Sequence, residues 1–204
     1  MIKNVVFDFG RVLVHFEPSY MVGKYVQETE DKQLLEDVLF DRLYWDRLDE
    51  GTITDEEVLA ACQKRIPQRL RAVAEKIYYN WIYNIPEIDG MSELIRWVRD
   101  DYGKRVFLLS NISKYFADHE GEIPVLKHFE RKIFSARCGK VKPNREIFEH
   151  LCKECDILPN ETLFVDDSEK NIKGAQNYGI KGYLFDGDVA RLQAYLEENL
   201  SIEN

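Results

Sequence analysis

Near the amino terminus the chain reads Val5-Val6-Phe7-Asp8-Phe9-Gly10-Arg11-Val12-Leu13, and this stretch decides how the remainder is read. β-branched and aromatic residues favour an extended strand over Asn4–Phe9. A run that is apolar nearly throughout fits a parallel strand covered on both faces. An aspartate following such a strand lies at the carboxyl edge of the sheet, where open α/β folds place their sites.

Working outward, four more β-rich runs stand out: Arg105–Ser110, Lys132–Ala136, Thr162–Val165 and Lys181–Phe185. Helical patterns separate the later ones. Glu87–Asp100 carries Met91, Leu94, Ile95 and Val98 on one face, and Arg145–Cys155 carries Ile147, Phe148, Leu151, Cys152 and Cys155. Glu169–Asn177 is a third helix, with Gly179 as its C-cap. Alternating strands and helices predict a doubly wound, Rossmann-like α/β sheet. From Phe16 to Ile85 the rhythm breaks into helices alone, over Tyr20–Thr29, Lys32–Leu43, Asp55–Arg65 and Gln68–Trp81. Thr54 and Glu57 fit a capping box at the start of the third of these. The expected organisation is a core of residues 1–15 and 86–204 with a helical cap of residues 16–85.

Each strand that faces the presumed crevice ends in a polar group. Ser110-Asn111 follows the second run, Gly139-Lys140-Val141-Lys142-Pro143 the third, and Asp166-Asp167-Ser168 the fourth. Taken singly, each is better read as a turn or a helix cap. Together, at matching strand ends, they describe phosphate and metal chemistry. Clustered carboxylates repel unless a hard cation joins them, and oxygen ligands suit Mg²⁺. An ionised Asp8 would then attack phosphorus and form an acyl-phosphate that water hydrolyses. Ser110, backbone N–H groups and Lys142 would hold the phosphoryl oxygens as charge develops.

Composition narrows the partners. A net charge of -9 argues against nucleic acid, and 45% hydrophobic with 32% charged residues fits an ordinary packed protein. No apolar run is long enough to span a bilayer. The chain enters a strand at once, so no signal peptide is expected and the cytoplasm is the expected compartment. Cys152 and Cys155 form a Cys-x-x-Cys pair, but on an apolar helical face they read as small buried hydrophobes.

On the Asp8 segment, Ser110-Asn111, Lys142-Pro143 and Asp166-Asp167, the sequence resembles the haloacid dehalogenase superfamily over nearly its whole length. Residues 16–85 resemble that superfamily's class-1 helical cap. The segment Trp45-Asp46-Arg47-Leu48-Asp49-Glu50-Gly51-Thr52-Ile53-Thr54 resembles the branch containing bacterial glucose-1-phosphate phosphatase, with the phosphatase domain of soluble epoxide hydrolase more distant. The resemblance implies Asp8 as nucleophile and Mg²⁺ ligand. The Gly10 carbonyl, Asp166 and Asp167 would be further ligands, Asp167 more directly than Asp166. Ser110, Asn111 and Lys142 would bind phosphate, and the partner would be a small phosphorylated metabolite.

One position departs from the pattern. Family phosphatases carry a second aspartate two residues after the nucleophile as acid and base; here that residue is Gly10, which cannot transfer a proton. Three explanations follow. A sugar phosphate such as a hexose 1-phosphate has an acidic leaving hydroxyl, and water, or a carboxylate such as Glu17 or Asp46 from the cap side, could serve the second step. Alternatives are a 2-haloacid dehalogenase, whose halide needs no proton, and a non-catalytic phosphate-binding protein.

Overall fold

The computed structural model describes residues 1–83 and 85–200. Five strands form one parallel sheet: β1 (Asn4–Phe7), β2 (Arg105–Ser110), β3 (Arg131–Phe134), β4 (Thr162–Asp166) and β5 (Lys181–Leu184). Their order is β3-β2-β1-β4-β5. This is the doubly wound architecture expected, with each strand within two residues of its predicted ends. The chain leaves β1 towards β2 and β3, then crosses to the other side of β1 to lay down β4. That reversal opens a crevice at the carboxyl ends of β1 and β4.

Strand alternation assigns side chains to two cores. Val5, Phe7, Val106, Leu108, Leu163 and Val165 point to one face, and Val6, Phe107, Leu109 and Phe164 to the other. Successive strand residues face opposite ways, so a strand buried on both sides must be apolar at every position.

The first helices after β1 are α1 (Pro18–Gly23), α2 (Thr29–Leu39), α3 (Arg42–Asp49), α4 (Asp55–Lys64) and α5 (Arg71–Asn80). They share an apolar cluster of their own, including Val22, Leu35, Leu39, Leu48, Val58, Cys62, Ala74 and Ile77. The capping box forms as read, Thr54 Oγ1 accepting from Glu57 N and Glu57 Oε2 from Thr54 N. The sequence reading ran its second helix through Leu43. The chain instead breaks at Phe40, and Asp41 caps a separate α3 by accepting from Leu43 N.

The remaining helices are α6 (Met91–Asp100), α7 (Lys114–Asp118), α8 (Ser135–Cys138), α9 (Arg145–Cys155), α10 (Glu169–Tyr178) and α11 (Val189–Asn199). Leucines, Met91, Ile95 and Val98 of α6 and α11 cover the first sheet face, and α9 and α10 the second. Gly179 ends α10 in the left-handed region at φ 102°, as a C-cap does. Cys152 and Cys155 sit inside the second core, and burial pushes their thiols up to about 11 and about 12.

Candidate active site

Asp8 is the first residue past β1. Its backbone N–H donates to Val165 O at 2.9 Å, which extends the ladder by one bond and fixes the carboxylate beside β4. The chain then turns sharply. Leu13 N donates to Phe9 O at 2.8 Å, and Arg11 takes the left-handed conformation at φ 59°, uncommon outside glycine. Gly10 stands half-buried in this turn.

Lys142 is the hub. Its Nζ lies 2.7 Å from Asp8 Oδ1 and 2.8 Å from Asp166 Oδ2, with side-chain exposures of 1%, 12% and 0% for the three residues. The Phe164 ring lies 5.3 Å beneath the ammonium. Burial alone would drive the proton off Lys142, but Asp166 and Asp8 outweigh it and its pKa is raised. A buried ammonium is tolerated here because its donors meet anions.

The carboxylates differ in how fully they are occupied. Asp166 accepts from Lys142, from Ser168 N at 2.8 Å and from Asn171 Nδ2 at 3.0 and 3.1 Å. It therefore does tie down the start of α10, as a cap would, while holding Lys142 on its other side. Asp167 is half-buried. Burial and Asp166 raise its pKa, with Arg11 and Lys142 opposing. Burial likewise raises Asp8, Lys142 opposing and Asp166 adding to it.

Oxygens of Asp8, Asp166 and Asp167 lie within 4.8 Å of one another. Hard oxygen donors at this spacing suit a small divalent cation. Three carboxylates facing one buried ammonium leave negative charge for such a cation to balance. The residues present fit the group.

Ser110 ends β2, buried and in register with Phe134 of β3. Asn111 follows it, read from the sequence as a phosphate ligand. Its side-chain amide is committed elsewhere: Oδ1 accepts from Lys142 N at 2.8 Å and Nδ2 donates to Lys142 O at 3.0 Å. Both ends of the amide thus clamp the backbone that carries the central ammonium. Three contributors escaped the sequence reading. Asn171 braces Asp166, and Ser135 Oγ accepts from Ile112 N at 2.9 Å, joining the β2 loop to α8. Asn171 had a signal, one helical turn beyond the aspartate pair; Ser135 had none.

The third is Asp49, at the end of α3. It is 8% exposed and its Oδ1 has no hydrogen-bond partner among the described residues. Burial pushes its carboxyl up to about 7, Arg42 opposing and Asp46 adding, with Lys142 and Asp8 also within electrostatic reach. The two carboxylates considered from sequence are both exposed. Asp46 is 58% exposed and paired with Arg42 at 2.8 Å, and Glu17 is exposed. The aromatic residues of this layer are largely self-packed. Trp45 and Trp81 pack with Phe16, each 5.5 Å from it, and Tyr78 donates to Asp55 at 3.0 Å.

Comparison with known proteins meets this geometry. The model of the haloacid dehalogenase-like hydrolases matches residues 2–179, and the chain belongs to that family. Curated relatives that it matches are phosphatases. D-ribitol-5-phosphate phosphatase of Bacteroides thetaiotaomicron is 28% identical over 193 residues, 90% of this chain and 91% of that protein. The phosphorylated carbohydrates phosphatase of Thermotoga maritima is 22% identical over 88% of this chain and 82% of its own. A solved family enzyme from Bacteroides thetaiotaomicron, in complex with magnesium and inorganic phosphate, shares the fold at TM-score 0.67. It is 24% identical, over 94% of this chain and 99% of that one.

Proposed function

We propose that the protein is a magnesium-dependent phosphatase that removes phosphate from a phosphorylated sugar or sugar alcohol through an aspartyl-phosphate on Asp8. The observation that carries this reading is Asp8 fixed 2.7 Å from a buried Lys142 ammonium, within a three-carboxylate cluster. Asp8 is the nucleophile. Lys142 and Ser110 bind the transferring phosphoryl oxygens, and Asn111 contributes by holding Lys142 in place. Asp8, the Gly10 carbonyl and Asp167 hold magnesium, with Asp166 braced behind them by Asn171. Magnesium supplies positive charge that polarises a bound phosphate and offsets the carboxylates.

Residues 16–85 act as the cap whose closure excludes water and selects the substrate. The sugar-phosphate class is supported by the two relatives above, which act on ribitol 5-phosphate and on phosphorylated carbohydrates. A hexose 1-phosphate is the member of the class with the most acidic leaving hydroxyl. We also place the protein in the cytoplasm. All four cysteines are free, and no helix among the described residues is long and apolar enough to cross a membrane.

The test is phosphate release from a panel of phosphate esters with and without Mg²⁺, comparing wild type with Asp8→Asn. Magnesium-dependent release that vanishes in Asp8→Asn is expected. Halide release from haloacids in EDTA would move the protein to the dehalogenases, and phosphate binding without turnover would make it a binding protein.

A further inference from the structure

Breaking a P–O ester bond leaves an alkoxide that needs a proton, and splitting the acyl-phosphate needs one taken from water. The carboxyl edge of the sheet offers no group for either task. Asp8 is the nucleophile, Asp166 is saturated, Asp167 faces the cation position, Lys142 is bound between two anions, and Gly10 has no side chain.

Among the described residues of the cap, Asp49 alone has a buried side-chain oxygen without a hydrogen-bond partner. Asp49 is buried on the underside of α3, its Oδ1 unpartnered among the described residues. Two residues on, Gly51 seats this corner on the core: at φ 69°, a β-carbon there would meet Ala136 O at 2.9 Å. Ala136 lies in α8, whose end leads directly into the loop that carries Lys142. Contact at Gly51 therefore seats the Asp49 corner against α8, with Asp49 in electrostatic reach of Lys142 and Asp8. A carboxyl buried without a partner is costly, and such groups persist where they have a task.

We propose that Asp49 is the proton-transfer group of this enzyme, delivered from the cap in place of the residue absent at Gly10. The inference rests on the phosphatase reading above. In the first step Asp8 Oδ attacks phosphorus and the bond to the leaving oxygen breaks. That oxygen takes the proton of the Asp49 carboxyl, giving the alcohol, the acyl-phosphate and an Asp49 carboxylate. In the second step water attacks the same phosphorus, its proton passes to Asp49, and the acyl–phosphate bond breaks to return Asp8 as a carboxylate with hydrogen phosphate. The charged groups facing Asp49 are Arg42 and Asp46 from its own helix and Lys142 and Asp8 from the core. Burial leaves it a good donor near neutrality, since its pKa is raised to about 7. With a donor supplied by the cap, the substrate is not restricted to acidic anomeric hydroxyls.

The experiment compares wild type, Asp49→Asn and Asp8→Asn, with Mg²⁺, on two esters. One is p-nitrophenyl phosphate, whose phenolate leaves without a proton; the other is the best sugar phosphate of the panel. Asp49→Asn is expected to lose about 10²–10⁴-fold on the sugar phosphate. With p-nitrophenyl phosphate it should still give a burst of p-nitrophenol, followed by slowed turnover. Above about pH 7 the wild-type single-turnover rate on the sugar phosphate should fall, and that limb should be missing from the variant. Equal burst-phase losses on both esters, or a change confined to KM, would overturn the inference, because a merely structural or hydroxyl-binding Asp49 predicts those results. Unchanged rates on both, with activity still dependent on Asp8, would overturn it and leave the phosphatase reading standing. A wild type inactive on every ester would remove both.

Discussion

Asp166 and Asp49 are both buried carboxylates near the same crevice, and their surroundings are opposite. Asp166, at the end of β4, accepts from an ammonium, a side-chain amide and a backbone N–H. Asp49, at the end of α3, has an oxygen with no partner among the described residues. A carboxylate with its lone pairs filled is held in place and positions its neighbours. One without partners stays protonated to higher pH and keeps its proton available. On the proposal above, the core edge holds charge still and the α3 corner moves a proton.

The sharpest way to break this contrast is at Asp8. Asp8→Asn should lower kcat by on the order of 10⁴-fold or more in phosphate release, since a lost nucleophile leaves only binding and charge stabilisation. Lys142→Met tests the saturated side. It strands Asp8 and Asp166 without their cation and should cost about 3–5 kcal/mol in urea unfolding without Mg²⁺. Added Mg²⁺ should recover part of that loss if the carboxylates share the metal.

Asp49→Asn tests the unsaturated side through stability. A carboxyl raised from 3.8 to about 7 is protonated in the folded state and ionised in the unfolded one across that window. Folding stability contributed by Asp49 is thus present at pH 4 and lost as pH rises to 7. The variant's advantage over wild type should grow across that range, by roughly 4 kcal/mol at the very most, in thermal melts at several pH values. Gly51→Ala should cost about 1–2 kcal/mol from its left-handed backbone and lift the cap corner off Ala136. That should raise KM along with the change in Tm. Smallest is Thr54→Ala, about 1 kcal/mol from the lost cap of α4, with kinetics unchanged.

Much of the core was legible because its signals are local. Continuous apolar runs such as Val5–Phe7 and Leu108–Leu109 mean burial on both sheet faces, and the polar residue at the end of each marks the crevice edge. Arg145–Cys155 matched to the residue because its stripe and flanks agree. α3 was not legible: its Leu43 is 67% exposed, and charges interrupt its apolar pattern. Only Asp41, a good N-cap, signalled a new helix there. The family resemblance implied that Asn111 touches phosphate; which atoms its amide reaches depends on a loop 31 residues away.

By itself, then, the sequence determined the parallel α/β sheet, the helical insertion and the convergence of Asp8, Ser110, Lys142, Asp166 and Asp167 on one edge. Continuous apolar runs and the polar residues at their ends are written in nearest neighbours. Only the tertiary structure decided that Lys142 bridges Asp8 and Asp166, that Asn111 holds the Lys142 backbone, and that Asp49 rather than Asp46 is buried. Asp46 and Asp49 lie one helical turn apart on neighbouring faces. Which of them meets water and which meets the core depends on how α3 seats against α8, a contact that no local pattern encodes.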